Sequence, residues 1–242
     1  MKWNEMTPVN WLGRLFPPKK PEFTEHVILP IEEQIKAWRR ANKKMNWDIG
    51  EKEFEGIDSP PSLTDSDLEQ GFVGIALFYG FGDDSAGHAD SVLSGKMAWD
   101  YACKILKNRA WQSPHIDFDK PDSFRLRPGA RPRPRGFYFG KIQTGERFQR
   151  MTVSEVRRYF NSVTGCGPEG LQLLCITHTH IPDMMSERKM PFMILADYDV
   201  APHGYNDFFD TLQIFSSNRI LGLGIGNVDQ NYPGFGIPTV RF

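Results

Sequence analysis

Two pairs of polar side chains stand at the ends of two apolar runs in the C-terminal third of the chain. The first run ends in His178-Thr-His180, and the second ends in Asp197-Tyr-Asp199. Side chains two residues apart on a strand point to the same face, so each pair could project together. Imidazole nitrogens and carboxylate oxygens are ligands of zinc, manganese and iron(II). The pattern therefore indicates a divalent-metal site or an acid–base site.

The distribution of charge supports this interpretation. Between Lys189 and Arg219 there is no Lys or Arg, but there are four Asp. Carboxylates gathered near histidines repel each other unless a cation or protons intervene. If the two apolar runs are neighbouring parallel strands, all four groups meet at their C-terminal ends, where ligands bind in open α/β sheets. The alternative is structural, with the same residues capping turns and helix starts.

The leading functional hypothesis is a metal-dependent enzyme, hydrolytic in type, that acts on a phosphate- or carboxylate-bearing substrate. His178, His180, Asp197 and Asp199 would hold zinc, manganese or iron. The ion would lower the pKa of a bound water, so that hydroxide is available near neutral pH. His203 or Asp84 would serve as the general base. The metal, the substrate and the pathway stay open, and the site requires that the two strands are neighbours.

A second candidate is the arginine- and proline-rich stretch from Arg125 to Arg135. Between Lys120 and Arg158, both included, there are eleven Lys or Arg and only three acids. Proline holds such a stretch extended, and guanidinium groups bind phosphate and carboxylate. We therefore expect an anionic substrate to be bound by the guanidinium groups of Arg131, Arg133 and Arg135. The alternative is that this stretch pairs with the acidic residues 50–70.

The rival functional hypothesis is a non-catalytic binding or assembly protein. In that case the Trp- and Phe-bearing arm of residues 1–30 and the Arg/Pro-rich segment contact a protein or a nucleic acid. Phe137, Tyr138 and Phe139 follow the arginines directly and could stack on bases if exposed. Gly222-Leu-Gly-Ile-Gly226 does not predict a dinucleotide site, because the following residues cannot open a helix. Cys166 is a further candidate nucleophile, although no histidine is placed beside it.

Composition excludes some classes of protein. The chain has 242 residues with 40% hydrophobic and 24% charged residues and a net charge of −1, which is typical of a globular protein without an overall field for nucleic acid. No apolar run approaches the roughly 18 residues of a membrane span, so no membrane contact is expected. The three cysteines have no zinc-ribbon spacing and are interpreted as reduced thiols of a cytoplasmic protein.

Periodicity predicts a single α/β or α+β domain over residues 31–242, with a mixed sheet of about five strands flanked by helices. The arm of residues 1–30 and a long loop over 113–136 are expected to be irregular. The predicted helices are 31–46, 94–108, 152–163, 182–189 and 207–215. The predicted strands are 72–79, 137–142, 171–177, 191–196, 219–225 and 237–240.

Overall fold

A computed structural model describes residues 28–82, 89–120, 123–160, 163–201 and 208–242. The helices are α1 (Ile31–Met45), α2 (Glu51–Glu55), α3 (Asp65–Glu69), α4 (Ser91–Leu106), α5 (Val153–Arg157), α6 (Pro168–Gln172) and α7 (Ile181–Ser186). The strands are β1 (Gly74–Gly80), β2 (Ala110–Gln112), β3 (Phe124–Leu126), β4 (Gly136–Gln143), β5 (Thr164–Gly165), β6 (Phe192–Val200), β7 (Asp210–Ser217), β8 (Ile220–Asn227), β9 (Phe235–Gly236) and β10 (Thr239–Arg241).

The α/β class is confirmed, and the described strands form two sheets instead of one sheet of about five strands. The first sheet has the order β1-β4-β10-β5, with all neighbours antiparallel. The second has the order β2-β8-β7-β6-β3, and β9 pairs with β6. Its central hairpins are antiparallel, whereas β2 runs parallel to β8 and β9 runs parallel to β6. The C-terminal residues return to the first sheet through β10, which pairs with both β4 and β5.

Strand β6 of the second sheet is buried on both faces. Met193 and Leu195 of β6 belong to the main apolar core, together with residues of α1, α4 and α6. Ile194 and Ala196, which alternate with them, belong to a smaller core around α5 and the segment before β10. This alternation follows from the two-residue period of a strand. A strand that is covered on both faces reads as an unbroken apolar run, as the sequence of β6 does.

Helix α1 is attached to β1 by polar side chains that bind the backbone of the strand. The Gln34 amide donates to the Ile75 carbonyl and accepts from the Leu77 N–H, at 3.0 and 2.8 Å. The Trp38 indole donates to the Leu77 carbonyl at 3.0 Å. Gln34 and Trp38 are fully buried on one face of an amphipathic helix, and their hydrogen bonds satisfy backbone groups that no strand pairs on that side.

Two sequence predictions of secondary structure are wrong. Residues 171–177, predicted as a strand, continue α6 as a turn of π-helix over Leu173–Thr177. This helix is buried on every side, and periodicity does not distinguish such a helix from a buried strand. Residues 207–215, predicted as a helix, contain the start of β7, where Leu212 and Ile214 face the main core in strand alternation.

Two of the predicted helices are present but shorter. The helix predicted over 152–163 spans only Val153–Arg157, although its capping box is formed as predicted. The Thr152 hydroxyl accepts from the Glu155 N–H at 3.1 Å, and the Glu155 carboxylate accepts from the Thr152 N–H at 2.8 Å. The helix predicted over 182–189 spans Ile181–Ser186. The strands predicted at 72–79, 137–142, 191–196, 219–225 and 237–240 are each present with shifted bounds.

The glycines of β8 make room for large side chains on β7. Gly222 pairs with Phe215, and a Cβ atom at Gly222 would lie 2.3 Å from the Phe215 ring. Gly226 lies under the Gln213 side chain, where a Cβ atom would be 1.8 Å from its amide nitrogen. Strand glycines often mark such close approaches. The Gly-x-Gly-x-Gly pattern is therefore explained by cross-strand packing.

The predicted long loop 113–136 is largely irregular where it is described, apart from β3. Its end is fixed against the first sheet. A Cβ atom at Gly80, the last residue of β1, would lie 2.0 Å from the Pro134 carbonyl oxygen, so the two backbones are in close contact. The Ala89 N–H donates to the Arg133 carbonyl at 2.9 Å. Among the described residues, no helix has the length and apolar character to cross a membrane.

Candidate functional site: an arginine cleft above a buried ion-pair network

The arginine-rich segment and the Asp197-Tyr-Asp199 sequence lie on neighbouring strands. Strand β3 pairs antiparallel with β6, with Arg125 opposite Asp199, and the Arg127 N–H donates to the Asp197 carbonyl at 2.8 Å. The arginines are two positions apart on one strand, and the aspartates are two positions apart on the other. The register therefore places Arg125 opposite Asp199 and Arg127 next to Asp197. Opposite charges in adjacent positions of paired strands stabilise the pairing. The two charge imbalances in the sequence therefore compensate each other in part.

Asp197 is fully buried and accepts hydrogen bonds at both carboxylate oxygens. Arg127 donates from Nε to Oδ1 at 2.9 Å, and Arg133 donates from Nη2 to Oδ2 at 2.8 Å. The Thr164 hydroxyl also donates to Oδ2. Two guanidinium groups and a hydroxyl thus donate to this one carboxylate. These contacts use the two oxygens that the sequence predicted as metal ligands.

Arg133 occupies the centre of the buried network. Its side chain is fully enclosed, and it donates from Nε to Glu169 at 2.7 Å and from Nη1 to the Arg131 carbonyl at 2.7 Å. Glu169 is also fully buried and accepts from the Tyr138 hydroxyl at 3.0 Å and the Gly167 N–H at 3.0 Å. The structure thus places Arg133 in an internal ion-pair network, in contrast to the predicted contact with substrate, because no part of its guanidinium reaches solvent.

The pKa values of this cluster reflect burial and pairing. Burial acts to lower the pKa of Arg133, but the Glu169 and Asp197 carboxylates outweigh it, so the pKa is raised above the ordinary arginine value. Burial, and then the Glu169 charge, raise the pKa of the Tyr138 hydroxyl well above 10.0. Arg133 therefore stays charged and Tyr138 stays neutral. Buried charges of this kind persist only with such partners.

Asp199 is held in a second, more accessible pair. Arg157 donates from Nη2 to Asp199 at 2.8 Å, and its other hydrogen bonds reach the Ala196 and Tyr198 carbonyls. Arg125 lies 3.9 Å from the same carboxylate on the other side. Desolvation lowers the pKa of Arg157, and the Asp199 charge opposes this shift. Asp199 is therefore shared by two arginines.

His178 and His180 lie elsewhere, after the π-helical turn. His178 is fully buried, and its Nε2 accepts from the Leu29 N–H at 2.9 Å, while Nδ1 lies 2.7 Å from the Thr177 hydroxyl. Burial, and then the neighbouring His180, lower the pKa of His178 to about 3. The two rings are 5.8 Å apart. His178 is thus a neutral acceptor that fixes the chain before α1.

The structure does not bring the four predicted metal ligands together. Within the described ranges there is no group of three or more His, Cys, Asp or Glu that could hold a metal ion. The predicted general bases His203 and Asp84 lie outside the described residues. The metal-dependent hydrolase stays a prediction, and the geometry of Asp197 and Asp199 is that of arginine partners.

A surface cleft of about 240 Å³ lies beside the buried network. Its lining includes the cations Arg127, Arg131 and Arg241, of which Arg241 pairs with Asp67. The remaining lining residues are the rings Phe160 and Phe242 together with Gly129, Val163, Thr164 and Val240. The described lining contains no Asp or Glu. Guanidinium groups next to aromatic rings in a concave site favour an anionic ligand.

The arginines of the cleft differ in their partners. Arg127 pairs with Asp197 beneath the cleft and lies 5.1 Å from the centre of the Phe160 ring. Arg131 is exposed, and it contacts a main-chain oxygen of Phe242 at 3.3 Å and the ring of that residue at 5.7 Å. Arg135 is exposed as well, but it lies outside the cleft lining. Of the three arginines predicted to contact substrate, the cleft contains Arg131.

Sequence reasoning missed Phe160 and Phe242 as site residues. Phe160 has an ordinary apolar position after α5, and Phe242 follows β10. No pattern in either segment indicates that they meet the arginine segment. The proposed nucleophile Cys166 is fully buried, and burial, then Glu169, raise its pKa well above 9.0. Such a thiol stays protonated and is a poor nucleophile.

No protein-family model matches this chain, and comparisons with curated proteins and with solved structures also give no match.

Proposed function

We propose that this protein binds an anionic ligand in the arginine cleft, through Arg131 and Arg127. The observation that carries the proposal is a concave surface with cations and aromatic rings in its lining and no Asp or Glu among its described lining residues. Guanidinium groups form paired hydrogen bonds with phosphate and carboxylate oxygens. The proposal keeps the anion contact that the sequence predicts for the arginine segment, without the metal-dependent hydrolysis.

The buried network supports the cleft from below. Asp197 holds the Arg127 Nε at 2.9 Å, while Arg133 holds Asp197 and the Arg131 carbonyl, each within 2.8 Å. The backbone of Arg131 and the side chain of Arg127 are thus fixed by groups that cannot relax into solvent. Pre-ordered side chains lose less entropy when a ligand binds. The network also explains why the backbone of this arginine- and proline-rich segment has a defined conformation.

The cleft and the buried network beneath it together carry more arginines than carboxylates. The guanidiniums of Arg125, Arg127, Arg133 and Arg157 share the carboxylates of Glu169, Asp197 and Asp199. Arg131, with a main-chain oxygen and a ring as its contacts, adds further positive charge. Surplus positive charge in a cleft attracts an anion, and salt screens the attraction.

Titration with inorganic phosphate, followed by phosphorus NMR at low and high sodium chloride, tests this function. Arg131→Gln should weaken phosphate binding several-fold, because the exposed cation of the cleft is lost. Arg147→Gln is the matched control, since that side chain donates to the Gln70 carbonyl and is not part of the cleft lining. Equal binding by the wild type and Arg131→Gln, or none by the wild type, would contradict the proposal.

A further inference from the structure

The aromatic rings of the cleft indicate a further property of the ligand besides its negative charge. Phe160 lies under the Arg127 guanidinium, and Phe242 lies beside both Arg131 and Arg133, 5.7 and 5.6 Å from their guanidinium carbons. Phe242 is also held edge-on by the buried Tyr138, with ring centres 5.4 Å apart. The cleft therefore presents guanidinium groups and aromatic rings next to each other. A simple inorganic anion would use only the guanidinium groups.

The size of the cleft limits the ligand further. Its volume is about 240 Å³, whereas pockets for drug-sized ligands are roughly 300–1,000 Å³. A cavity of about 150 Å³ accommodates benzene. The cleft thus has room for one six-membered ring and one small anionic group. A nucleotide, with base, sugar and phosphate, would extend well outside it.

We infer that the cleft binds an aryl phosphate monoester, with the ring against Phe160 and Phe242 and the phosphate on Arg131 and Arg127. This inference rests on the proposed function and adds the ligand class. The ring would pack by offset or edge-on contact, the arrangement that aromatic pairs favour. Arg127 and Arg131 already lie over these rings, so one ligand that carries both groups can reach each of them.

Three phosphates distinguish the inference from the function on which it rests: inorganic phosphate, methyl phosphate and phenyl phosphate. The wild type should bind phenyl phosphate roughly 3- to 10-fold more tightly than methyl phosphate, the gain typical of one aromatic contact. Equal affinity for the two esters would overturn the aryl inference and leave anion binding intact. Failure to bind any of the three would overturn both.

A variant pair tests the role of the ring in the protein. Phe160→Leu should bring the ratio of the phenyl phosphate and methyl phosphate affinities close to one, and this ratio cancels any loss of phosphate binding that is common to both esters. The circular dichroism spectrum of the variant shows whether it is folded. Phe209→Leu is the matched control, because Phe209 is exposed and outside the cleft lining. An unchanged preference in Phe160→Leu would contradict the placement of the ring.

The same chemistry has two possible sources, a free small molecule and a phosphotyrosine side chain. A phosphotyrosine pentapeptide, compared with phenyl phosphate, separates them. Binding of the peptide tighter than that of phenyl phosphate assigns the cleft to a phosphorylated protein, because the flanking residues then add contacts. Binding equal to or weaker than that of phenyl phosphate assigns it to a free aryl phosphate.

Discussion

His178 should make the stability of the fold depend on pH. The side chain is fully buried, and its Nε2 accepts from the Leu29 N–H, which requires the neutral ring. Its pKa is lowered from 6.5 to about 3 by burial and by His180. As pH falls below 6.5, the unfolded chain binds a proton that the folded protein does not. The contribution of the neutral His178 to the free energy of unfolding is therefore complete above about pH 6.5 and is lost progressively as the pH falls toward 3.

The magnitude follows from the two pKa values. Each unit of pKa difference corresponds to about 1.4 kcal/mol. Between pH 6 and pH 4, His178 alone should reduce the free energy of unfolding by about 2 to 3 kcal/mol. His178→Gln keeps an acceptor for the Leu29 N–H but gains no proton in this pH range. The unfolding free energy of the variant should therefore lack this part of its dependence on pH.

Urea denaturation of the wild type and of His178→Gln at several pH values between 4 and 7 measures the effect. Other titrating groups contribute equally to both proteins and cancel in the difference. The difference between the two unfolding free energies should change by about 2 to 3 kcal/mol across pH 6 to pH 4. His180→Gln is the control and should keep most of the wild-type slope. Parallel curves for the wild type and His178→Gln would refute the reasoning.

Three further predictions concern the network, the backbone contact and the thiols. Asp197→Asn should lower the free energy of unfolding by roughly 3–5 kcal/mol in urea, since it removes the carboxylate that Arg127 and the buried Arg133 share; a loss below about 1 kcal/mol would argue against the network. Gly80→Ala should cost about 1–3 kcal/mol because of the Pro134 carbonyl 2.0 Å from the new Cβ, whereas Gly50→Ala, with no atom within 4 Å, should change thermal stability little. Iodoacetamide should label the exposed Cys103 well before the buried Cys166 in the native protein, as mass spectrometry can show; the reverse order would contradict the burial.

The sequence predicted much of the fold, and its errors have a common cause. Period-two and period-3.6 patterns located α1, α4, β1, β4, β6 and β8, because each element has one face or both faces in the core. The error at 171–177 arose because a helix that is buried all round shows no amphipathic period. The division into two sheets depends on β10, whose three residues join β4 and β5. Local patterns do not contain such long-range pairing.

The excesses of arginine and of aspartate in the sequence predicted only part of the candidate site. The sequence shows an excess of arginine around Arg127 and an excess of Asp around Asp197, and both excesses are real. Separately they indicate an anion site and a metal site. Their shared spacing of two residues was the signal that they are partners on adjacent strands, as the register of β3 and β6 shows. Nothing comparable in the sequence points to Phe160 or Phe242, because their meeting depends on tertiary packing.

The most direct test of the arginine cleft is an NMR titration that observes the arginine Nε–Hε groups of nitrogen-labelled protein as inorganic phosphate is added. The account predicts that the signals of Arg131 and Arg127 shift together and saturate, while the signal of the fully buried Arg133 changes much less. The Arg147 signal, from a side chain outside the cleft, should stay in place. Saturating shifts at Arg147 with none at Arg131, or no shift at either, would contradict the account.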